Sequence, residues 1–187
     1  MAQVQDIDVL SDTWTKAFAK DPMITWPMPQ ATSDARQALF TAILDPYVDL
    51  GVAWTLAGGL AGAAWLPPEH AEQFSGIEAR IRDRVAPLTD DDGASYAVLW
   101  DWLDAHVPDY PCWYLDILGV APEAQGRGLG RRLIEHGLDR ARRDEVPAFL
   151  ETGNERNIAY YESFGFAVVH VEQAPQDGPM IWFMQAD

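Results

Sequence analysis

Apolar residues recur along this chain with two periods, and the points where the period changes predict its elements. Helical spacing marks residues 11–20, with Ser11 or Asp12 as cap, and residues 33–44, capped by Ser33 or Asp34. The proline-rich stretch 21–29 between them predicts a loop carrying Met23, Trp26 and Met28. Two short apolar runs, 52–56 and 60–66, flank Ala57-Gly58-Gly59 and predict a hairpin, which Pro67-Pro68 ends. Residues 69–85 and 94–105 predict helices on either side of an acidic turn, 89–93. The remainder predicts a strand at 112–120, a helix at 127–143, a strand at 148–152, a helix at 156–164 and strands at 166–171 and 180–185. In the helix at 127–143, Leu129, Leu133, Ile134, Leu138 and Ala141 share one face, and the arginines lie mostly off it. A strand, crossover helix and strand imply parallel pairing, and the hairpins imply antiparallel pairing. The expected class is α/β, a mixed central β-sheet flanked by helices.

Length adds one expectation to this pattern: residues 1–187 form a single domain with a full core. Charge narrows the partners. Thirteen Lys and Arg stand against twenty-nine Asp and Glu, a formal net charge of −16. Such a surface disfavours nucleic acid and anionic membrane, which need basic patches, and suits a cationic amine. Cys112 is the single cysteine, so no intrachain disulfide forms, and no cluster suggests a metal. Residues 1–10 are acidic with no apolar run, and no stretch approaches the roughly 20 apolar residues of a membrane span. The expected location is cytoplasmic.

The candidate chemistry begins at Gln125-Gly126-Arg127-Gly128-Leu129-Gly130, between a strand and a helix. Glycines there free the backbone for unusual conformations and close ligand approach, and successive N–H groups point outward at a helix N-terminus. That is a phosphate-holding device. It is not a dinucleotide fingerprint, because Arg131 stands three residues after Gly128, and not a P-loop, because Arg131-Arg132 follow Gly130. The pattern Q-x-x-G-x-G after Val120-Ala121-Pro122 resembles the acyl-CoA pyrophosphate loop of the GNAT family of N-acetyltransferases. A second segment, residues 154–166 with Tyr161-Glu162 and Gly165-Phe166, resembles the same family about thirty residues on.

The resemblance implies a fold whose two central strands splay apart to admit acetyl-CoA. It implies that Gln125, Gly126, Arg127, Gly128, Leu129 and Gly130 hold the pyrophosphate, with Arg127 adding a charge-assisted contact. Leu118, Gly119 and Val120 would offer backbone to the pantetheine arm, and Asn154 would lie near the cofactor or cap a helix. Tyr161 matches the position of the family's acid for the leaving thiolate, and Tyr160, about 100° round the helix, is expected to face elsewhere. For the base, Asp116, Glu151 and His106 remain open, because a buried carboxylate with a raised pKa suits the work. Trp26, Phe40, Trp65, Trp102 and Tyr114 are candidates for the acceptor wall or for plain packing.

Residues 146–166, the Ala64-Trp65 strand end and Gly178-Pro179 bear a closer likeness to the puromycin-acetylating members of the family. The matching parts serve cofactor and scaffold, so an aminonucleoside and an undefined small amine both stand as acceptors. A protein amine, and a CoA-binding sensor domain without turnover, are the rival functions. The resemblance leaves a homodimer open.

Overall fold

Ala53 faces Ala64 and Leu56 faces Ala61 across the first hairpin, where β1 (Ala53–Leu56) pairs antiparallel with β2 (Ala61–Leu66). Its turn needs left-handed backbone at three successive residues, with φ of 53° at Ala57, 67° at Gly58 and 94° at Gly59. Two glycines supply most of that freedom. Period-two alternation in β2 sends Ala61, Ala63 and Trp65 to one side of the sheet and Ala64 and Leu66 to the other. Helices cover both sides, so all six residues of β2 are buried. The remaining strands are β3 (Trp113–Val120), β4 (Ala148–Thr152), β5 (Ala167–Gln173) and β6 (Met180–Ala186). The sheet order is β1-β2-β3-β4-β6-β5, parallel between β3 and β4 and antiparallel elsewhere. The computed structural model describes residues 1–187, except for the side chains of residues 71–76.

Helices α1 (Ile7–Ala17), α2 (Pro22–Thr25), α3 (Ser33–Asp49), α4 (Ala71–Val85) and α5 (Ala94–Asp104) precede β3 in the chain. Leu10 and Trp14 of α1, Leu39, Phe40 and Leu44 of α3, and Ile77 and Ile81 of α4 form a core against Ala64 and Leu66. On the opposite side, α6 (Leu129–Asp144) packs Leu133, Ile134, Leu138 and Ala141 on Trp65, Leu115 and Leu150, the stripe its periodicity predicts. Leu99 and Leu103 of α5 meet Phe149, Ile181 and Phe183 in a third cluster. The short α7 (Ile158–Glu162) follows β4.

Several expected boundaries move, each for a local reason. Ser11 is not a cap, because α1 starts at Ile7 and the buried Ser11 hydroxyl donates to the Asp8 carbonyl inside the helix. Thr32, one residue before the expected caps, holds the start of α3 by accepting from Ala35 N at 3.2 Å. That helix continues through Pro46, whose flanking Leu44 and Tyr47 are buried in the core. Tertiary burial there outweighs the one helical hydrogen bond a proline removes. The expected loop at 21–29 contains α2, capped by Asp21, which accepts from Met23 N at 2.9 Å.

The centre of the sheet opens at one residue. Strands β3 and β4 pair at Trp113–Ala148, Tyr114–Phe149 and Leu115–Leu150, and the pairing stops there. Against β2, Ala64 faces Ile117 and Trp65 faces Leu115, which leaves Asp116 as the extra residue of a bulge. So β3 bends away from β4 at Asp116, and the splay implied by the family resemblance begins at that carboxylate.

Candidate active site

Beyond the splay, a cleft of about 620 Å³ lies between the end of β3, the start of α6 and the segment after β4. Leu118, Gly119, Val120, Gln125, Gly126, Gly128, Leu129, Gly130 and Asn154 all line it. Gly126 and Gly128 take φ of 74° and 77°, and a Cβ on either would point into open space. Among the described residues, the N–H groups of Gly126, Arg127 and Gly128 have no hydrogen-bond partner. With the free first-turn N–H groups of α6, they present a concave row of donors. Arg131 and Arg156 add positive charge to the wall. Left-handed glycines, outward donors, open volume and two guanidinium groups fit the pyrophosphate of acetyl-CoA.

Two expectations change here. The guanidinium of Arg127 turns away, donating to the Glu123 carbonyl at 2.7 Å, and Arg127 does not line the cleft. Tyr160 does line it, beside Tyr161, with the two rings 5.8 Å apart. The helix that carries them is only five residues long, and both neighbouring side chains line the cleft. Asn154 lines the cleft, and its Oδ1 accepts from Arg156 N to cap the next turn.

A second cavity, of about 160 Å³, adjoins the first and shares Phe18, Asp21, Leu118, Asn157 and Tyr161 with it. Its floor is the sheet, through Tyr114, Asp116 and Glu151, and its roof is α3, α4 and α5. Five carboxylates line it, those of Asp21, Glu78, Asp104, Asp116 and Glu151, and no Lys, Arg or His does so among the described residues. Tyr47 donates to Asp116 Oδ2 at 2.8 Å and Tyr114 to Glu151 Oε1 at 2.7 Å. Glu151 Oε2 is buried with no partner. Burial pushes Glu151 up to about 8, with the nearby Asp116 and Asp104 charges adding to the rise against the Tyr114 hydrogen bond. Burial likewise raises Asp116 to about 6, opposed by the Tyr47 hydrogen bond. Tyr161 is 8% exposed, and its hydroxyl has no hydrogen bond among the described residues. Burial, then the neighbouring Tyr160, Asp21 and Glu151, holds its pKa above the usual phenol value.

Of the aromatic wall candidates, only Tyr114 reaches this cavity. Trp65 is fully buried on the other side of the sheet, where its indole donates to the Leu133 carbonyl and packs against Gly137 of α6. Phe40 is fully buried against Trp14 and Phe18. Trp26 and Trp102 pack on the cluster of Leu99, Phe149 and Phe183, outside the lining. His106 lies away from both cavities, between the Trp102 carbonyl and Glu172. There it joins His170 and Glu172 in a surface group whose ligating atoms lie within 4.8 Å of one another. Cys112 is buried, and burial lifts its thiol to about 11, away from a nucleophile's range. The pattern gave no notice of Tyr47, Tyr96, Glu78 or Asp104, which reach the cavity from three different helices. A raised proportion of Asp and Glu was the one global hint of an acidic interior.

A profile of the acetyltransferase (GNAT) family matches residues 64–166, more than half of the chain. A mycothiol acetyltransferase of Thermomonospora curvata is 31% identical over 168 residues, covering 84% of this chain and 53% of that protein. Another, from Beutenbergia cavernae, is 46% identical over 85 residues, covering 44% of this chain and 27% of that protein. The chain thus spans about half or less of the length of these curated relatives. A polyamine N-acetyltransferase of Drosophila melanogaster, which forms N-acetylagmatine, superposes with a TM-score of 0.67 at 17% identity. That superposition covers 99% of this chain and 96% of the other. An acetyltransferase of Corynebacterium glutamicum related to histone acetyltransferases gives 0.65 at 22% identity, covering 98% and 92%. These structural likenesses bear on the fold alone. Among the described residues, no helix is long and apolar enough to cross a membrane.

Proposed function

Because the chain belongs to the acetyltransferase (GNAT) family, we propose that it transfers an acetyl group from acetyl-CoA to the primary amine of a small molecule, by direct attack with both substrates bound. One observation carries this reading: the glycine-turn cleft and the carboxylate-lined cavity meet at Tyr161. Bound acetyl-CoA supplies the activated thioester. The chain's own residues supply the rest.

The acceptor cavity draws in an ammonium ion, because its lining is acidic and holds no cation among the described residues. The amine must be neutral to attack, so it must give up a proton. Glu151 is the acceptor we assign, through the unpartnered Oε2, with Tyr114 fixing the other oxygen. Asp116, tied to Tyr47, holds the ammonium electrostatically and orients it at the splay. Tyr161 keeps its phenol proton because it is buried, and that proton is available at the junction for the departing sulfur. Leu118, Gly119 and Val120 present the end of β3 to the cofactor arm, and Gln125, Gly126, Gly128, Leu129 and Gly130, with Arg131, Arg156 and Asn154, hold its anionic end.

The small cavity favours a compact acceptor over a peptide, which needs an open groove. The likeness of residues 146–166 to puromycin-acetylating enzymes, and the mycothiol named for the relatives, remain candidate directions within the same chemistry. The deciding experiment is CoA release from acetyl-CoA across alkylamines, diamines, aminosugars and puromycin, with product masses measured. Acetylated product from any of them supports the reading. Tight acetyl-CoA binding with no product from the whole panel sinks it and favours a sensor or a protein acceptor. The reading extends to a homodimer through β5, an edge strand exposed along all seven residues and carrying Val168, Val169 and Val171. A sedimentation profile that stays monomeric at tens of micromolar would remove the dimer.

A further inference from the structure

The carboxylates of the acceptor cavity fall into two groups on opposite walls. Asp116 and Glu151 stand on the sheet floor, on β3 and β4. Glu78 and Asp104 stand on the roof helices α4 and α5, and Asp104 is exposed at the rim. The floor group is enough to receive one ammonium. The roof group is not needed to accept the proton of the reacting amine, although the charge of Asp104 adds to the raised pKa of Glu151.

We propose that the acceptor is a short aliphatic dication, whose reacting amine sits at the floor and whose second ammonium is held at the rim by Glu78 and Asp104. The proposal rests on the acetyl-transfer reading and names its substrate class.

Charge balance is the first argument. Arg82 lies at the rim, at 2.8 Å from Asp101 and 3.8 Å from Asp104, and it also pairs with Glu78. One guanidinium therefore serves three carboxylates and leaves negative charge uncompensated beside the cavity. Arg36, whose charge acts on Tyr96, donates to the Ala19 carbonyl and does not line the cavity. Unmet hydrogen-bonding capacity is the second argument. Glu151 Oε2 and the Tyr96 hydroxyl are both buried without a partner, and both residues line the cavity. A buried polar atom left unpaired is costly, so two such atoms in one small cavity, a carboxylate oxygen and a phenol hydroxyl, point to a polar ligand that reaches beyond the floor. The third argument is the lining between the two groups. Ile81, Leu99, Leu103 and the face of Trp100 supply an apolar span suited to methylenes. A cavity of about 160 Å³ also favours a short chain over a bulky amine.

The test compares kcat/KM for 1,4-diaminobutane, butylamine and 4-aminobutanoate on the wild-type chain with saturating acetyl-CoA. Diaminobutane should exceed butylamine by about 10- to 100-fold, the range expected for one charge-assisted contact. 4-Aminobutanoate, with a carboxylate where diaminobutane has its second ammonium, should be the poorest of the three. In Asp104→Asn, and separately in Glu78→Gln, the diamine-to-butylamine ratio should fall about tenfold or more. Equal rates for diamine and butylamine in the wild type would overturn the proposal, and so would a ratio unmoved by both substitutions. If neither variant folds, the wild-type ranking of the three amines decides. If no amine is acetylated although acetyl-CoA binds, the transfer reading fails by itself. Calorimetry of the CoA-loaded protein then decides the subsite: tighter binding of diaminobutane than butylamine supports it, and equal binding overturns it.

Discussion

Tyr161 sits edge-on to Phe166 at 6.0 Å, within the cluster that joins α6 to the sheet, and lines both cavities. Tyr161→Phe keeps the ring and its packing and removes only the hydroxyl group. Turnover should fall about 100-fold, the usual worth of a general acid, with the KM for acetyl-CoA little changed. Steady-state kinetics at saturating amine would show this, and undiminished turnover would take Tyr161 out of the mechanism. Glu151 makes a prediction of the opposite kind. Its pKa is raised to about 8, chiefly by burial, and it works only after losing its proton. So kcat/KM should climb with pH, with the midpoint of the limb near 8. A bound ammonium favours the charged carboxylate and should move the same limb in kcat to lower pH. Glu151→Gln can still accept from Tyr114 and should lose the limb along with most of the rate. A limb that survives the substitution would shift the role of base to Asp116.

The turn before α6 shows what one element contributes. Gly128 and Gly58 both hold left-handed backbone, at 77° and 67°, and neither would place a Cβ within 4 Å of a neighbour. Alanine at either position costs about 1 kcal/mol of backbone strain. Only at Gly128 does the new methyl group enter the cofactor cleft. Gly128→Ala should therefore raise the KM for acetyl-CoA about tenfold or more, while Gly58→Ala leaves it unchanged at similar cost in stability. Equal KM values for the two variants would dissociate the turn from cofactor binding. Local elements of this kind were legible in the sequence, because glycine spacing, a following helical stripe and a Tyr-Glu-x-x-Gly-Phe segment are local signals. The β3 bulge was not, since the register of β2 against β3 is a property of the pair, and it is what aims Asp116. Nor could the pattern separate Arg127 from Arg131, two arginines in one turn of which one bonds a backbone carbonyl and the other lines the cleft. Trp65 reads the same whether β2 turns it toward α6 or toward the acceptor, and the structure has it on α6. The rim carboxylates Glu78 and Asp104 come from two helices separated by a turn, so no spacing announces that they meet.

Over the whole molecule, the acidic cavity is a cost that folding carries. Asp116 and Glu151 are raised to about 6 and about 8 in the folded chain, from ordinary values of 3.8 and 4.5. Asp104 is also raised, by burial and then by Glu78. A carboxyl group with a raised folded pKa holds its proton longer folded than unfolded. Stability is therefore greatest below the unfolded value and falls as pH climbs toward the folded one. For these groups the window runs from about pH 4 to about pH 8, and the loss from Asp116 and Glu151 is on the order of a few kcal/mol. His136 opposes this near pH 6, since burial lowers its pKa, but it is one partly buried group against three. A net charge of −16 adds general repulsion in the same direction. The Tm should accordingly drop by about 5–10 °C between pH 5.5 and pH 8.5 at low salt. Glu151→Gln should flatten that slope, because it removes the most strongly raised carboxyl group without removing the Tyr114 contact. A Tm that rises across this window would mean that the floor carboxylates are more solvated than their surroundings indicate. The cavity would then have lost the low-dielectric character on which proton transfer through Glu151 depends.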